Sequence, residues 1–312
     1  MQKVGIIGGS GFIGSYVTQI FLEENYKVKV SSTDISNKNK YEHLQKSINA
    51  DNLEICALDV RDCRMLENFV KGCDILIHAG TPFLLDVKDP QTQLFNPTVM
   101  GTRNFIETIM KADDLKKVVF VASVAAWNTS FPLKPSSYPD AHIFTESDTP
   151  HMSEEDHPYA RSKFLADQAV RKFIYDFPDL PFEVTSISPA FVIGNSLPTR
   201  QDSTSVGLQR VLKDKFAPNS FVEMLYEKDA VFSLIDVRNV AEAVFKAATT
   251  TGIHGKNYLI ANESYAVSDI SRMLNNEEPL AQPVIIYNSA LAKEELGISF
   301  IAAKETLNHC VL

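Results

Sequence analysis

Residues 3–14, KVGIIGGSGFIG, run a short apolar segment straight into three glycines set three apart, Gly8, Gly11 and Gly14, and the helical pattern SYVTQIFLEE follows at once. A short apolar run bounded by glycine reads as a buried strand, so the glycines sit at a strand-to-helix junction. There they let the backbone turn tightly and leave room for an anionic group, whose charge the N–H groups and dipole of the helix N-terminus then meet. Among 13 glycines in 312 residues, this spacing arises by chance about 0.02 times. The loop therefore reads as the pyrophosphate site of a dinucleotide rather than as a packing turn. Its G-x-x-G-x-x-G spacing differs from the commoner G-x-G-x-x-G.

Outward from this loop the same unit repeats. YKVKVSS, LEICALD, DILIHAG and KKVVFVAS alternate with helical stretches, and FEVTSISPAFVIG carries the pattern to residue 194. Apolar runs too continuous for one wet face imply a parallel sheet covered on both sides, and right-handed crossovers make it doubly wound. The fold expected is α/β, with residues 1–194 as the dinucleotide-binding domain. Residues 231–250, VFSLIDVRNVAEAVFKAATT, read as a strand and a helix N-capped by Asp236 that return to that domain. Residues 195–230 and 251–312 read as a smaller C-terminal substrate-binding region of short elements broken by Gly, Pro and Asn.

Composition narrows the partners. A chain 45% apolar and 22% charged can bury a sizeable core. Net charge −9 without clustered Lys or Arg argues against nucleic acid and for a small-molecule partner. Cys56, Cys63, Cys73 and Cys310 form no C-x-x-C pair, which points to free thiols in a reducing, cytoplasmic compartment and to no metal site. No stretch approaches 18 uninterrupted apolar residues, so neither a membrane span nor a signal peptide is expected. A monomer or homodimer is expected.

HPYARSK, residues 157–163, places Tyr159 and Lys163 just over one helical turn apart. With 10 tyrosines and 21 lysines, about 0.7 such pairs arise by chance, so the pair gains meaning only from the rest of the chain. An ammonium beside the phenol is expected to favour phenolate and lower its pKa from about 10.

GGSGFIGS, LDVRD, KGCDILIHAGTP, NPTVMGTRN, VVFVASVAAW, PYARSK, ISPAFVIG and LIDVRNVAEA occur in one order along nearly the whole chain. In this the sequence resembles the extended short-chain dehydrogenase/reductases, the NAD-dependent epimerase/dehydratase superfamily, and within them the dihydroflavonol reductase-like carbonyl reductases. The resemblance implies a Rossmann sheet and a catalytic triad of Ser123, Tyr159 and Lys163. Tyr159 would be the general acid, Ser123 would hydrogen-bond the carbonyl oxygen, and Lys163 would also hold the nicotinamide ribose. Ser123 fits on physical grounds too, since it ends a strand of an open parallel sheet, where ligands bind. Cofactor contacts are implied at Gly8, Gly11, Phe12, Ile13 and Gly14, at Asp59 and Val60, at Ala79, Gly80 and Thr81, and at Pro189 and Val192. One departure is Thr98, which stands where many members carry an asparagine that organises a proton relay.

The end of the second strand, YKVKVSSTD, should meet the adenosine ribose. Asp34, 20 residues past Gly14, suits NAD by a simple count. Aligned on the family, Ser32 takes the acidic position and Thr33 falls where the reductases commonly have arginine, while Lys38 and Lys40 are within reach of a 2′-phosphate. NADP(H) is favoured over NAD(H). The implied activity is hydride transfer to a small, moderately apolar aldehyde or ketone. A nucleotide-sugar epimerase or dehydratase is the alternative, but Ser123-Val124-Ala125 lacks the acid pair of the dehydratases; an inert dinucleotide sensor would not need the triad. The expected pocket lining is GTPFLLD, SFPLKPSSYP and NSLPTRQDSTSVG. His78 reads as a packed histidine rather than an acid or metal ligand. Trp127 reads either as a pocket wall or as core.

Overall fold

The computed structural model describes residues 1–198 and 203–312. The first half alternates as expected: β1 (Lys3–Ile7), α1 (Phe12–Glu23), β2 (Lys27–Ser32), β3 (Leu53–Ala57), α2 (Cys63–Val70), β4 (Ile75–His78), α3 (Gly101–Ile109), β5 (Lys117–Val121), α4 (Pro158–Asp176) and β6 (Glu183–Pro189). The remainder comprises β7 (Phe191–Ile193), α5 (Thr204–Asp214), α6 (Ser220–Glu227), β8 (Val231–Asp236), α7 (Val237–Thr249), β9 (Asn257–Ile260), β10 (Ser264–Ala266), α8 (Val267–Leu274), α9 (Ala290–Leu296) and α10 (Ala303–Asn308).

Seven parallel strands form the main sheet in the order β3-β2-β1-β4-β5-β6-β9. This is the doubly wound Rossmann arrangement, with the order reversing between β1 and β4, where such sheets bind ligands. Alternation along the strands builds the two layers. Val4, Ile6, Val119 and Val121 pack with Val17 and Phe21 of α1 and Val240 and Val244 of α7. Ile7, Leu76, Val118 and Phe120 face the other way, onto Leu66 of α2, Phe105 of α3 and Val170 of α4. A second, three-stranded sheet, β10-β8-β7, packs with α5, α6, α8 and α10.

Two strands differ from expectation. FEVTSISPAFVIG is not one strand: β6 ends at Pro189, which has no N–H to extend a ladder, and after Ala190 the chain enters the small sheet as β7. VFSLID, expected to return with its helix to the main domain, lies in the small sheet as β8, while α7 packs on the main sheet. The place beside β6 goes to β9, from the stretch assigned to the substrate region. A four-residue strand among Gly and Asn carries too little period to be placed from sequence. The helix expected after Asn96 starts earlier, with Gln91–Met100 in wide π-type turns that contain Pro97. No described helix is long and apolar enough to cross a membrane.

Asp236 N-caps α7 as expected, accepting from the Arg238 N–H at 2.7 Å. Its buried carboxylate also accepts from the Arg238 guanidinium (2.7 Å) and the Thr306 hydroxyl on α10 (2.6 Å), tying both sheets and the C-terminal helix together. Asp236→Ala should cost about 2–4 kcal/mol in urea unfolding, since it removes a cap and leaves the buried Thr306 hydroxyl only the more distant Ala302 carbonyl.

Candidate active site

The glycine loop divides its labour. Gly8 has φ +79°, and a Cβ there would lie 2.5 Å from the Cα of Gly80 at the end of β4. A Cβ on Gly14 would fall onto the carbonyl oxygen of Gly8. These two glycines let strand, turn and helix interpenetrate. Gly11 is different: its Cβ would meet only that carbonyl oxygen, at 3.3 Å, and the residue faces an open cleft. It occupies the N-cap of α1, where no side chain caps the helix. Unclaimed N–H groups beside a missing side chain fit a dinucleotide pyrophosphate.

The cleft holds about 390 Å³ and runs from this loop along the carboxyl ends of the strands. Phe12, Ile13, Ala79, Thr81, Lys163, Pro189 and Val192 line it as expected, with Gly8, Gly11 and Gly14. Gly80 packs behind, against Gly8. Ser32, Thr33, Lys40, Asp59 and Val60 lie outside this lining. Ser32 is buried, its hydroxyl engaged with the backbone of Asp34. Asp34 turns its carboxylate onto Ser36, accepting from the hydroxyl at 2.6 Å and the N–H at 3.0 Å. Lys40 donates to the Thr33 hydroxyl at 2.8 Å. Asp59 is clamped by Arg61, with 2.6 Å between guanidinium and carboxylate. The carbonyl of Val60 accepts from Asn104.

Ser123, Tyr159 and Lys163 all line the cleft. Ser123 follows β5 and accepts from the Ala125 N–H at 3.1 Å. The same hydroxyl lies beside the Tyr159 phenol and favours its ionised form. Burial pushes the Tyr159 phenol up to about 12, outweighing the opposite effect of Ser123. Lys163, buried one turn further along α4, donates to the Thr81 hydroxyl and the Val121 carbonyl, both at 3.1 Å. Burial brings its ammonium down to about 8 against the pull of Asp167. The expected lowering of the phenol by lysine is thus corrected. The ammonium is held by Thr81 and Val121, and desolvation dominates the phenol, which stays protonated at neutral pH.

His157 was not singled out in the sequence, although a residue directly before a helix-initiating proline occupies the N-cap. Its Nδ1 accepts from the Tyr159 N–H at 3.2 Å, and its Nε2 meets the Leu85 carbonyl at 3.1 Å. Phe83, on the same loop after β4, lays its ring 4.5 Å from that of Tyr159, and the Thr204 hydroxyl of α5 donates to the Phe83 carbonyl. Phe131, Phe191, Phe221 and Phe232 complete an aromatic wall. Phe83 and Phe131 come from the first two stretches expected in the lining. Ser196, Pro198 and Ser203–Ser205 come from the third, whose residues 199–202 lie outside the described residues. His78 is buried against Phe105 and Phe120, and Trp127 is core, with the Arg171 guanidinium 4.3 Å from its ring. Thr98 is fully buried, with its hydroxyl unpartnered.

The profile of the 3-beta hydroxysteroid dehydrogenase/isomerase family matches residues 5–280. The chain belongs to this family. Cinnamoyl-CoA reductase CAD2 of Medicago truncatula is 29% identical over 283 residues, covering 89% of this chain and 82% of that protein. A bifunctional dihydroflavonol 4-reductase/flavanone 4-reductase of Malus domestica is 28% identical over 216 residues, 69% of this chain and 61% of the other. In fold, the yeast methylglyoxal/isovaleraldehyde reductase Gre2 complexed with NADPH superposes with a TM-score of 0.80 at 22% identity, over 98% of this chain and 96% of that one. Gre2 of Candida albicans, also with NADPH, gives 0.81 at 23%, with the same coverage. The resemblance to the extended short-chain dehydrogenase/reductases and their dihydroflavonol reductase-like members holds, and the protein is an NAD(P)-dependent reductase of that superfamily.

The glycine geometry separates two variants. Gly11→Val should fold with a nearly unchanged melting temperature and lose cofactor affinity at least tenfold by fluorescence titration, whereas Gly14→Ala should lower the melting temperature itself.

Proposed function

We propose that the protein reduces the carbonyl of a small, moderately apolar aldehyde or ketone, with NADP(H) as cofactor and Tyr159 as general acid. The observation that carries this reading is the meeting of Ser123, Tyr159 and Lys163 in the lining of one aromatic-walled cleft beside the glycine loop. A bound nicotinamide supplies the hydride. The chain's own part is to bind and to move a proton. Ser123 and Tyr159 together offer two hydroxyls to one carbonyl oxygen, and the phenol, protonated through the neutral range, gives up its proton as negative charge develops there. Lys163 places a positive charge one turn away, which eases the transient phenolate. Among the described residues no carboxylate or guanidinium lines the cleft, which suits a neutral substrate. The names of the relatives support the class, since all those cited are reductases.

The NADP(H) preference rests on the end of β2. The Asp34 carboxylate is engaged with Ser36 rather than presented to a ribose, and Lys40 stands at Thr33 as a cation for a 2′-phosphate. The NADPH in both Gre2 complexes agrees with this. Lys40→Glu should raise the KM for NADPH by about tenfold, on the order of 1.4 kcal/mol, and leave that for NADH within about twofold. A parent enzyme that prefers NADH would overturn the assignment.

Tyr159→Phe keeps the ring that packs on Phe83 and removes the acid. Turnover of the best substrate in a panel of aldehydes and ketones should drop about 10²–10⁴-fold, with cofactor affinity retained. A variant that works within a few-fold of the parent rate would refute the role of Tyr159.

A further inference from the structure

Lys163 borders a second, much smaller cavity of about 20 Å³. Its polar lining is His78 from the end of β4, Thr81, Thr102 from α3, Asp167 from α4, Ser186 from β6 and Lys163 itself. A polar space of this size accommodates one water molecule, whereas apolar cavities stay dry.

Two of the groups around it have complementary capacity. The His78 ring is 2% exposed, and its Nε2 has no hydrogen-bond partner. Burial, with the nearby Lys163 charge adding to it, brings the imidazole down to about 4, so it is neutral in the physiological range. A backbone interaction at His78 works against burial; the neutral ring has one protonated and one bare nitrogen, and we assign the hydrogen to Nδ1, since Nε2 is the nitrogen without a partner. That tautomer leaves Nε2 as a bare acceptor deep in the protein, a costly state without a donor. Lys163, for its part, has three N–H groups, of which Thr81 and Val121 take two. A donor and an acceptor thus meet at one cavity without bonding each other.

We propose that a single water molecule occupies this cavity, accepting from the Lys163 ammonium and donating to Nε2 of His78, which makes His78 a positioning residue for Lys163. The catalytic significance rests on the role given to Lys163 above; the site itself does not. The water restores part of the hydration that burial removes from the ammonium and so holds its pKa up. On its own helix, Lys163 also faces Asp167, which pulls in the same direction while its own charge is shared with Arg171, and Tyr159, whose phenol is neutral. The contributions of α3, β5 and β6, namely Thr102, Val121 and Ser186, do not titrate.

Two substitutions and one crystal structure test this. His78→Phe keeps an aromatic ring between Phe105 and Phe120 but removes the acceptor; His78→Gln restores one. The Lys163 titration, followed by NMR of the ¹⁵N-labelled side chain, should fall from about 8 by roughly one further unit in His78→Phe and return toward the parent value in His78→Gln. The alkaline limb of kcat/KM for NADPH should shift in parallel. A high-resolution crystal structure of the unmodified protein should show one ordered water within hydrogen-bonding distance of both Nε2 and Nζ. Its absence overturns the proposal, as does a folded His78→Phe whose lysine titrates like the parent. If His78→Phe does not fold, the crystal structure decides. A water in place alongside an unimpaired Tyr159→Phe would leave the site standing and remove the catalytic reading instead.

Discussion

The close approach of Gly8, Gly14 and Gly80 is the constraint on which the rest depends. The carbonyl oxygen of Gly8 lies where a Cβ of Gly14 would be, and the Gly8 Cα presses on the end of β4. Three elements meet there with no side chain between them. This aims the α1 N-terminus at the cleft and sets the loop after β4 beside it. Thr81, three residues past His78 on that loop, then meets Lys163 from α4. The geometry around Lys163 is inherited from backbone packing at the glycine loop.

The electrostatics of the site follow from how deeply that packing buries it. Desolvation moves both members of the tyrosine–lysine pair toward neutrality, the phenol upward and the ammonium downward. The phenol thereby keeps its proton at neutral pH. Asp167 works against burial at the lysine and is itself held by Arg171 and Asn257. The same Arg171 stacks over buried Trp127, so a core aromatic and the charge behind the active site share one cation.

Much of this was legible in the sequence because it was local. Gly8, Gly11 and Gly14 have fixed spacing, Tyr159 and Lys163 are one turn apart, and Ser123 ends an apolar run, so period and punctuation reveal them. What the sequence hid was either non-local or short. Beyond Phe12 in the glycine loop, the five phenylalanines that line the cleft are scattered from residue 83 to 232 and share no period. β9 is four residues long, and the break between β6 and β7 lies inside a run that is apolar throughout. The pKa of Tyr159 was misjudged because burial, a property of the assembled fold, outweighs the charge that spacing alone suggests.

The chain does not visit its two sheets once each. β6 lies in the main sheet and β7 in the small one; β8 stays there, α7 and β9 return, and β10 and α8 leave again before α9 packs near β9 and α10 closes on Asp236. The small sheet is therefore sewn into the large one by several passages rather than appended at a single junction. Such a protein lacks modularity. The wall that surrounds a substrate cannot be exchanged with that of a relative as one contiguous cassette, and a cut at any one loop leaves two fragments that each lack part of both cores. Diversification of such a cleft must proceed by point replacement within it, residue by residue, on a frame that stays whole.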